Sequence, residues 1–390
     1  MPAGNVILSA VTGFRDTSSG KTGAGMPSVA VIGTRGYPSY YGGFETAIRK
    51  LSPYLIDKGW DVTVYSRPGA TTPSDPDIDL RVVSRSTKGL ETKSLSTLSY
   101  GLTASVDAVR RRPDVALVMN VANGYFLPLL RARKIPTLVN VDGIEWERAK
   151  WSPLAKRVFH TGARLTAKWA NNLVFDARAI EDYWWESFSA PGVFIPYGGE
   201  VPPTLDVPEG LSHRGYVLVV ARFVPENSVP EFFRAVPAIA AKYPVVIVGS
   251  SGYEGELDAE ARKLASEHSA VSWLGHVSDD DLLLALWQHA GLYFHGHSVG
   301  GTNPALVQAM AAGAPILARD TVYNREVLGP GGRFVLPDPN SISRAVLQFM
   351  EDETELEESH LSNLARAAKH YSWPVVCKDY ETALRQLLPR

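Results

Sequence analysis

A glycine-rich turn between a predicted strand and a predicted helix constrains the fold of this chain most. The stretch reads HSVGGTNPALVQAMAAGAPILARD and lies in the last third of the sequence. Asn303 stands where an N-cap belongs, Pro304 takes the first helical position, and Gly313 ends the helix. Apolar residues predict strands on both sides, at 291–295 and 315–318. The unit is therefore strand, turn, helix, strand.

The start of that helix predicts either a phosphate site or an ordinary turn. Gly300 and Gly301 let a ligand approach the backbone, and the capped start offers free N–H groups at the positive end of the helix dipole. A βαβ turn without a ligand has the same local pattern. Both interpretations stay open at this point.

Length and composition indicate a globular protein of two domains. The chain has 390 residues, of which 45% are hydrophobic and 21% charged. Cys377 is the single cysteine, which excludes an intrachain disulfide and a cysteine-based metal cluster. No apolar run is long enough to span a bilayer. Residues 1–25 are rich in Gly, Ser and Thr, and we predict a disordered tail there.

Charge is unevenly distributed along the chain. Residues 1–195 contain 24 Lys and Arg against 17 Asp and Glu, whereas the remainder contains 15 against 24. The first half is therefore suited to an anionic partner, either nucleic acid or a membrane with acidic lipids. An uneven but solvated surface is the alternative.

Alternating strands and helices predict two doubly wound α/β domains. The first covers residues 26–196 and opens as strand, loop, helix, strand. The Gly- and Pro-rich stretch IPYGGEVPP marks the boundary, and the second domain covers 197–370. Residues 371–390 form a terminal helix that we expect to cross back to the first domain. Ligands are expected in the cleft between the domains, at the carboxyl ends of the strands.

The first glycine loop, GTRGYPSYYGGFET, argues against a nicotinamide-binding domain. Its glycines lack the G-x-G-x-x-G spacing, and Ser66 and Arg67 stand where an acidic residue would bind the ribose. Gly42 and Gly43 precede a predicted helix, where they either admit a ligand or form a tight turn.

Two acidic residues follow the predicted strand at 136–141. Asp142 and Glu145 lie past its carboxyl end, in the sequence VDGIEWERAKW. Either carboxylate is placed to orient or deprotonate a hydroxyl group, or else to cap the next helix.

A predicted helix over residues 150–175 combines basic and aromatic residues. No acidic residue occurs between Glu147 and Asp176. This composition suits an interface with anionic headgroups, or a solvated face above buried aromatics. The residues concerned are Lys150, Trp151, Lys156, Arg157, Phe159, Arg164, Lys168 and Trp169.

In the second domain, Arg222 follows an apolar strand and precedes FVPENSVPEFF. An arginine beside two helix starts is suited to a diphosphate. His295 and His297 fall in the cleft by position, and each either contacts the ligand or serves the structure.

Together, GTRGYPSYYGGFET, VDGIEWERAKW, ARFVPEN, HGHSVGGTNPALVQAMAAG and YSW resemble the GT-B glycosyltransferases. They are similar to retaining glycosyltransferase family four, in its bacterial rhamnosyltransferase branch. The resemblance implies GT-B architecture and transfer of a sugar from a nucleotide-sugar donor, with L-rhamnose from dTDP-rhamnose as the first expectation. A dTDP- or UDP-linked donor is implied as substrate, with no other cofactor.

The resemblance also assigns roles to individual residues. It places Gly42 and Gly43 at the donor phosphates and the transferred sugar, and Arg222 on the diphosphate. Asp142 and Glu145 match acidic positions near the acceptor. The loop that holds the sugar and phosphate at the helix start corresponds to Gly301, Thr302 and Asn303.

Three positions depart from the family pattern. Asn227 is the nearest match to a family lysine, and the paired family glutamates fall on Gly300 and Gln308. Gln308 still offers a carbonyl oxygen to the ribose, but without charge assistance, at a cost of about 1 kcal/mol.

The implied reaction is metal-independent, because no metal-binding acidic pair is evident in the cleft segments. Arg222 and the amides before Pro304 would stabilise the leaving diphosphate, which itself accepts the proton of the acceptor. The expected acceptor is a polyprenyl-diphosphate-linked or other saccharide in cell-surface polysaccharide synthesis. The enzyme is then cytoplasmic, peripheral at the inner membrane face, and without a nucleic-acid partner. The alternatives are a GT-B-like sugar-nucleotide epimerase and a non-catalytic scaffold that binds sugar nucleotides.

Overall fold

The computed structural model describes residues 25–40, 42–71, 74–75, 78–91, 96–148 and 151–388. The predicted tail at 1–25 lies, apart from Gly25, outside the described residues.

Two parallel sheets organise the described chain. The first has seven strands in the order β3-β2-β1-β4-β5-β6-β7, and the second has six in the order β10-β9-β8-β11-β12-β13. The strands are β1 Ser28–Ile32, β2 Asp61–Ser66, β3 Val83–Ser86, β4 Val115–Met119, β5 Thr137–Asn140, β6 Asn172–Phe175, β7 Val193–Phe194, β8 Val217–Val220, β9 Val245–Val248, β10 Val271–Gly275, β11 Leu292–His295, β12 Ile316–Arg319 and β13 Arg333–Val335. The predicted pair of doubly wound α/β domains is confirmed.

Helices cover both faces of each sheet. They are α1 Gly43–Asp57, α2 Ser96–Arg111, α3 Leu127–Ala132, α4 Pro153–Trp169, α5 Arg178–Phe188, α6 Val229–Ala240, α7 Glu256–Glu267, α8 Asp280–His289, α9 Pro304–Ala311, α10 Val322–Leu328, α11 Pro339–Glu351, α12 Glu353–His370 and α13 Trp373–Gln386. Central strands such as β4 and β9 are buried at every residue, which explains their continuous apolar sequences VALVM and VVIV.

Two stretches with a helical sequence pattern are longer than the helices that form. The helix predicted at 150–175 ends at Trp169, because the Asn171 side chain accepts the Thr137 amide at 3.0 Å and leads the chain into β6. Residues 341–368 have the sequence pattern of one helix, but the structure has two helices there, α11 and α12. Asp352 separates them, and its carboxylate caps α12 by accepting the Glu355 amide at 2.9 Å.

The link between the two sheets is held by the C-terminal segment. Gly199 donates its amide to the carbonyl of Tyr371 at 2.6 Å, and Trp373 packs on Gly198. Helix α13 then packs on α1 of the first domain, where Tyr380 accepts a hydrogen bond from Asn140 at 2.7 Å. The terminal helix therefore joins the core of the first domain.

Candidate functional site

The start of α9 has the local structure that the sequence predicts. The Asn303 side chain accepts the Ala305 amide at 2.9 Å, and Pro304 is the first helical residue. Gly300 has φ +91°, a conformation that favours glycine. The amides of this first turn therefore point out of the helix with the positive end of its dipole.

The α9 start meets the first domain along what we call the interdomain seam. A Cβ on Gly43 would lie 3.2 Å from Pro304 Cγ, and one on Gly143 would lie 3.2 Å from the Cα of Gly300. Gly43 opens α1 and Pro304 opens α9, so the starts of two helices oppose each other. The predicted glycine loops are thus brought together.

Thr302 fixes the loop to the first domain. Its amide donates to the backbone carbonyl of Asp176 at 3.2 Å, and its hydroxyl donates to the same carbonyl. Gly301 beside it faces the Asp176 carboxyl group, since a Cβ there would lie 2.1 Å from Oδ1. This contact requires glycine at position 301.

Asp176 is a buried residue at the interdomain seam that the sequence did not single out. It follows β6, is 3% exposed, and its Oδ1 has no hydrogen-bond partner among the described residues. Burial, and then the nearby charge of Asp142, raise the pKa of its carboxyl group to about 8. The sequence signal that could have identified Asp176 is its position directly after a strand, the same signal that singled out Asp142.

Asp142 and Glu145 differ in what they can offer a substrate. Asp142 has φ +65° and accepts a hydrogen bond from Asn120 at 3.3 Å, next to the seam. Glu145 lies 2.8 Å from the Arg148 guanidinium and accepts Trp151 Nε1 at 2.7 Å. Glu145 thus forms an ion pair with Arg148 and a hydrogen bond with Trp151. Asp142 lies near a second carboxyl group, that of Asp176.

Arg222 follows β8 with an exposed side chain. Asn227 donates to the Arg222 backbone carbonyl at 2.9 Å and thereby shapes the loop that carries Arg222.

His295 and His297 stack with ring centroids 4.4 Å apart. Burial, and then the positive charge of Arg222, lower the pKa of His297 to about 4, which keeps that ring neutral.

Gln308 contacts the link between the domains. Its Oε1 accepts the Glu200 amide at 3.0 Å, and its Nε2 donates to the Glu200 carbonyl at 2.7 Å. Both ends of the side-chain amide are therefore engaged by backbone. A ribose contact at Gln308 stays a prediction.

Within the described residues, no group of three His, Cys, Asp or Glu side chains is arranged as metal ligands would be. A metal-independent reaction stays a prediction.

Two family models match the chain. "Glycosyl transferase 4-like domain" matches residues 42–198, and "Glycosyl transferases group 1" matches residues 208–370. Residues 208–370 therefore belong to the group 1 glycosyltransferase family, and residues 42–198 to the glycosyltransferase 4-like family. The predicted glycosyltransferase family is thereby confirmed, and the rhamnosyltransferase branch stays a prediction.

Curated relatives of the chain include two mannosyltransferases. The phosphatidyl-myo-inositol mannosyltransferase of Mycolicibacterium smegmatis is 31% identical over 213 residues, which are 50% of this chain and 53% of that protein. The O-antigen chain mannosyltransferase B of Escherichia coli is 25% identical over 170 residues, 42% and 44% of the two chains. The chain thus spans about half the length of these relatives.

Solved structures show the same fold. The sucrose-phosphate synthase of Thermosynechococcus elongatus superposes with a TM-score of 0.75 at 18% identity, covering 93% of this chain and 99% of that one. A glycosyltransferase from Rickettsia africae gives 0.70 at 10% identity, with 93% and 99% covered. The predicted GT-B architecture is confirmed.

Proposed function

We propose that this glycosyltransferase moves a hexose from a nucleotide sugar to a saccharide acceptor with retention of anomeric configuration. The observation that carries the proposal is the meeting of Gly43 and Pro304, which places two helix starts face to face across the interdomain seam. Backbone amides at such starts favour a diphosphate. The family membership agrees with this reaction.

In the proposed mechanism, the bond from the anomeric carbon to the diphosphate breaks and a bond to the acceptor oxygen forms on the same face. Negative charge develops on the leaving diphosphate, where Arg222 and the amides of the α9 start stabilise it. The acceptor proton passes to an oxygen of the leaving phosphate. Asp142 orients the acceptor hydroxyl. Asp176 is protonated at neutral pH because its pKa is about 8, so it adds no second negative charge beside Asp142.

The donor is proposed in two forms that an experiment separates. The sequence resemblance favours dTDP-rhamnose, with UDP as the other expected carrier. The relatives named above are mannosyltransferases, which favours a mannosyl nucleotide as the second candidate.

The acceptor is proposed to be a polyprenyl-diphosphate-linked saccharide at the inner face of the membrane. No helix in the described ranges has the length and apolar character of a membrane span. On α4, Leu154 is 72% exposed, and Arg157, Arg164 and Lys168 are exposed as well. An apolar group among basic side chains suits peripheral contact with acidic lipids.

The test is a thermal-shift screen of the full chain against dTDP-, UDP- and GDP-sugars, followed by product analysis with acceptor. We expect one donor class to raise the melting temperature, and Arg222→Ala to reduce that rise while Arg344→Ala leaves it unchanged. Arg344 is a matched exposed arginine in the same domain. Equal effects of the two substitutions would contradict the site.

The alternatives make different predictions in the same assay. An epimerase converts the nucleotide sugar without any acceptor. A non-catalytic scaffold is stabilised by a nucleotide sugar but releases no nucleoside diphosphate with any donor and acceptor.

A further inference from the structure

The first turn of α5 is capped by a carboxylate from the other domain. The N-cap residue of α5 is Ala177, whose methyl side chain cannot accept a hydrogen bond. Glu326 in α10 supplies the acceptor instead. The Arg178 amide donates to its Oε1 at 2.8 Å and to its Oε2 at 3.0 Å, and the Ala179 amide donates to Oε2 at 3.4 Å. Two amides that a helix start leaves free are therefore paired with the second domain.

Charge makes this contact between the domains favourable. The half-buried Glu326 carboxylate faces the positive end of the α5 dipole, and hydrogen bonds to a charged acceptor are stronger than those between neutral groups. Burial raises the pKa of Glu326, while the amides of Arg178 and Ala179 act in the opposite direction. A carboxylate taken partly out of water needs such partners. The contact thus stabilises the arrangement in which α10 lies against α5.

Three side chains of α10 connect different parts of the molecule. Tyr323 packs against the hydrophobic core of the first domain, and Glu326 binds α5 of the same domain. Asn324 lies between them in the sequence, is 3% exposed, and donates its Nδ2 to the carbonyls of His297 at 3.0 Å and Arg319 at 2.8 Å. Helix α10 therefore contacts both the first domain and the start of the loop that leads to α9.

Helix α12 fixes α10 to the second domain. Arg366 donates its Nη2 to the Glu326 carbonyl at 2.8 Å and its Nε to the Val327 carbonyl at 2.6 Å. Because its last turn is bound in this way, α10 moves with the second domain.

The loop before α9 meets the first domain next to the same helix start. The Thr302 amide donates to the carbonyl of Asp176, which is two residues before Arg178. Glu326 and Thr302 thus bind one short segment of the first domain, residues 176–179.

From this arrangement we infer that Glu326 is a positioning residue that holds the two domains together. Its carboxylate binds the start of α5 and thereby keeps the loop at 297–303 seated on Asp176. The role of that loop in donor binding rests on the proposed function, whereas the contact between the domains does not.

The experiment measures hydrogen–deuterium exchange of the full chain without any ligand, by mass spectrometry. We expect Glu326→Ala to speed exchange at least tenfold at Arg178 and Ala179, and at least tenfold at Thr302. The Thr302 amide is bonded to Asp176 rather than to Glu326, so loss of a merely local cap would leave its exchange unchanged. Glu326→Gln keeps one accepting oxygen and should give smaller increases at the same amides, and it serves if Glu326→Ala does not fold.

Asp338→Ala is the matched control, because Asp338 caps a helix of its own domain. Its carboxylate accepts the amides of Asn340 at 3.2 Å and Ser341 at 3.1 Å, at the start of α11. This variant should speed exchange at the start of α11 and change the rate at Thr302 less than twofold.

Unchanged exchange at Thr302 in the Glu326 variants would overturn the inference, even if the start of α5 exchanges faster. Equal acceleration at Thr302 in Asp338→Ala would also overturn it, because general loosening would then explain the effect. No donor or acceptor is present, so failure of the proposed transfer reaction would be seen separately, as no nucleoside diphosphate released from any donor.

Discussion

Gly301 and Asp176 face each other across the interdomain seam with no room for a side chain on the glycine. A Cβ at position 301 would lie 2.1 Å from Asp176 Oδ1 and 2.5 Å from its Cγ. The donor loop predicted from sequence is thus seated on a buried carboxyl group of the other domain.

Gly301→Ala should therefore separate the loop from Asp176. We expect the free energy of unfolding to fall by about 1–3 kcal/mol, because inserting an extra methyl group into a tightly packed contact typically costs that much. Denaturant unfolding measures it. Asp176→Ala in the same chain should recover part of the loss, and a double variant as unstable as the sum of the singles would contradict the contact.

Asp176 should make stability depend on pH. The carboxyl group has its ordinary pKa of 3.8 in the unfolded chain and one of about 8 in the folded chain. Its stabilising contribution is fully present below the ordinary value and is lost as the pH rises to about 8, by at most about 1.4 kcal/mol per pH unit. Melting curves of wild type and Asp176→Asn from pH 5 to 9 should diverge with increasing pH, the wild type falling further. Parallel curves would show that Asp176 is ionised in the fold.

Gln308→Glu tests two roles of one residue. The carboxylate cannot donate to the Glu200 carbonyl, so the link between the domains should lose about 1 kcal/mol of stability. If the ribose role implied by the family resemblance holds, nucleotide affinity should rise in the same variant. Calorimetry with nucleoside diphosphate and thermal unfolding measure the two effects independently. Unchanged stability would contradict the linker contact, and weaker nucleotide binding would contradict the ribose role.

The α4 surface should bind acidic vesicles. Arg157→Glu with Arg164→Glu should reduce the bound fraction on phosphatidylglycerol vesicles by about tenfold or more at low salt, because each basic charge near the surface contributes about 1 kcal/mol. Vesicle sedimentation measures the bound fraction of each variant. The control is Arg262→Glu with Arg344→Glu in the second domain, and an equal loss there would show that overall charge, rather than α4, decides binding.

Local rules predicted much of the fold and part of the site. The α9 unit was predictable because N-cap, proline and glycine signals are all local in sequence. Asp176 was not singled out, because its importance depends on a glycine 125 positions away in the chain. The Gln308 contact with Glu200 likewise depends on tertiary placement.

The helix lengths expected from the sequence were wrong for a related reason. Residues 150–175 and 341–368 have continuous helical patterns, yet Asn171 and Asp352 end the helices by side-chain hydrogen bonds to backbone amides. Such bonds compete with the helix only where the tertiary fold supplies the partner or a new helix begins.

The anomeric configuration of the product tests the proposed transfer reaction most directly. The full chain is incubated with the donor that stabilises it and with a saccharide acceptor, and the product is examined by proton NMR. Retaining transfer predicts release of nucleoside diphosphate and a new glycosidic bond with the same anomeric configuration as the donor. A product of inverted configuration, or no transfer with any donor of the screen, would contradict it.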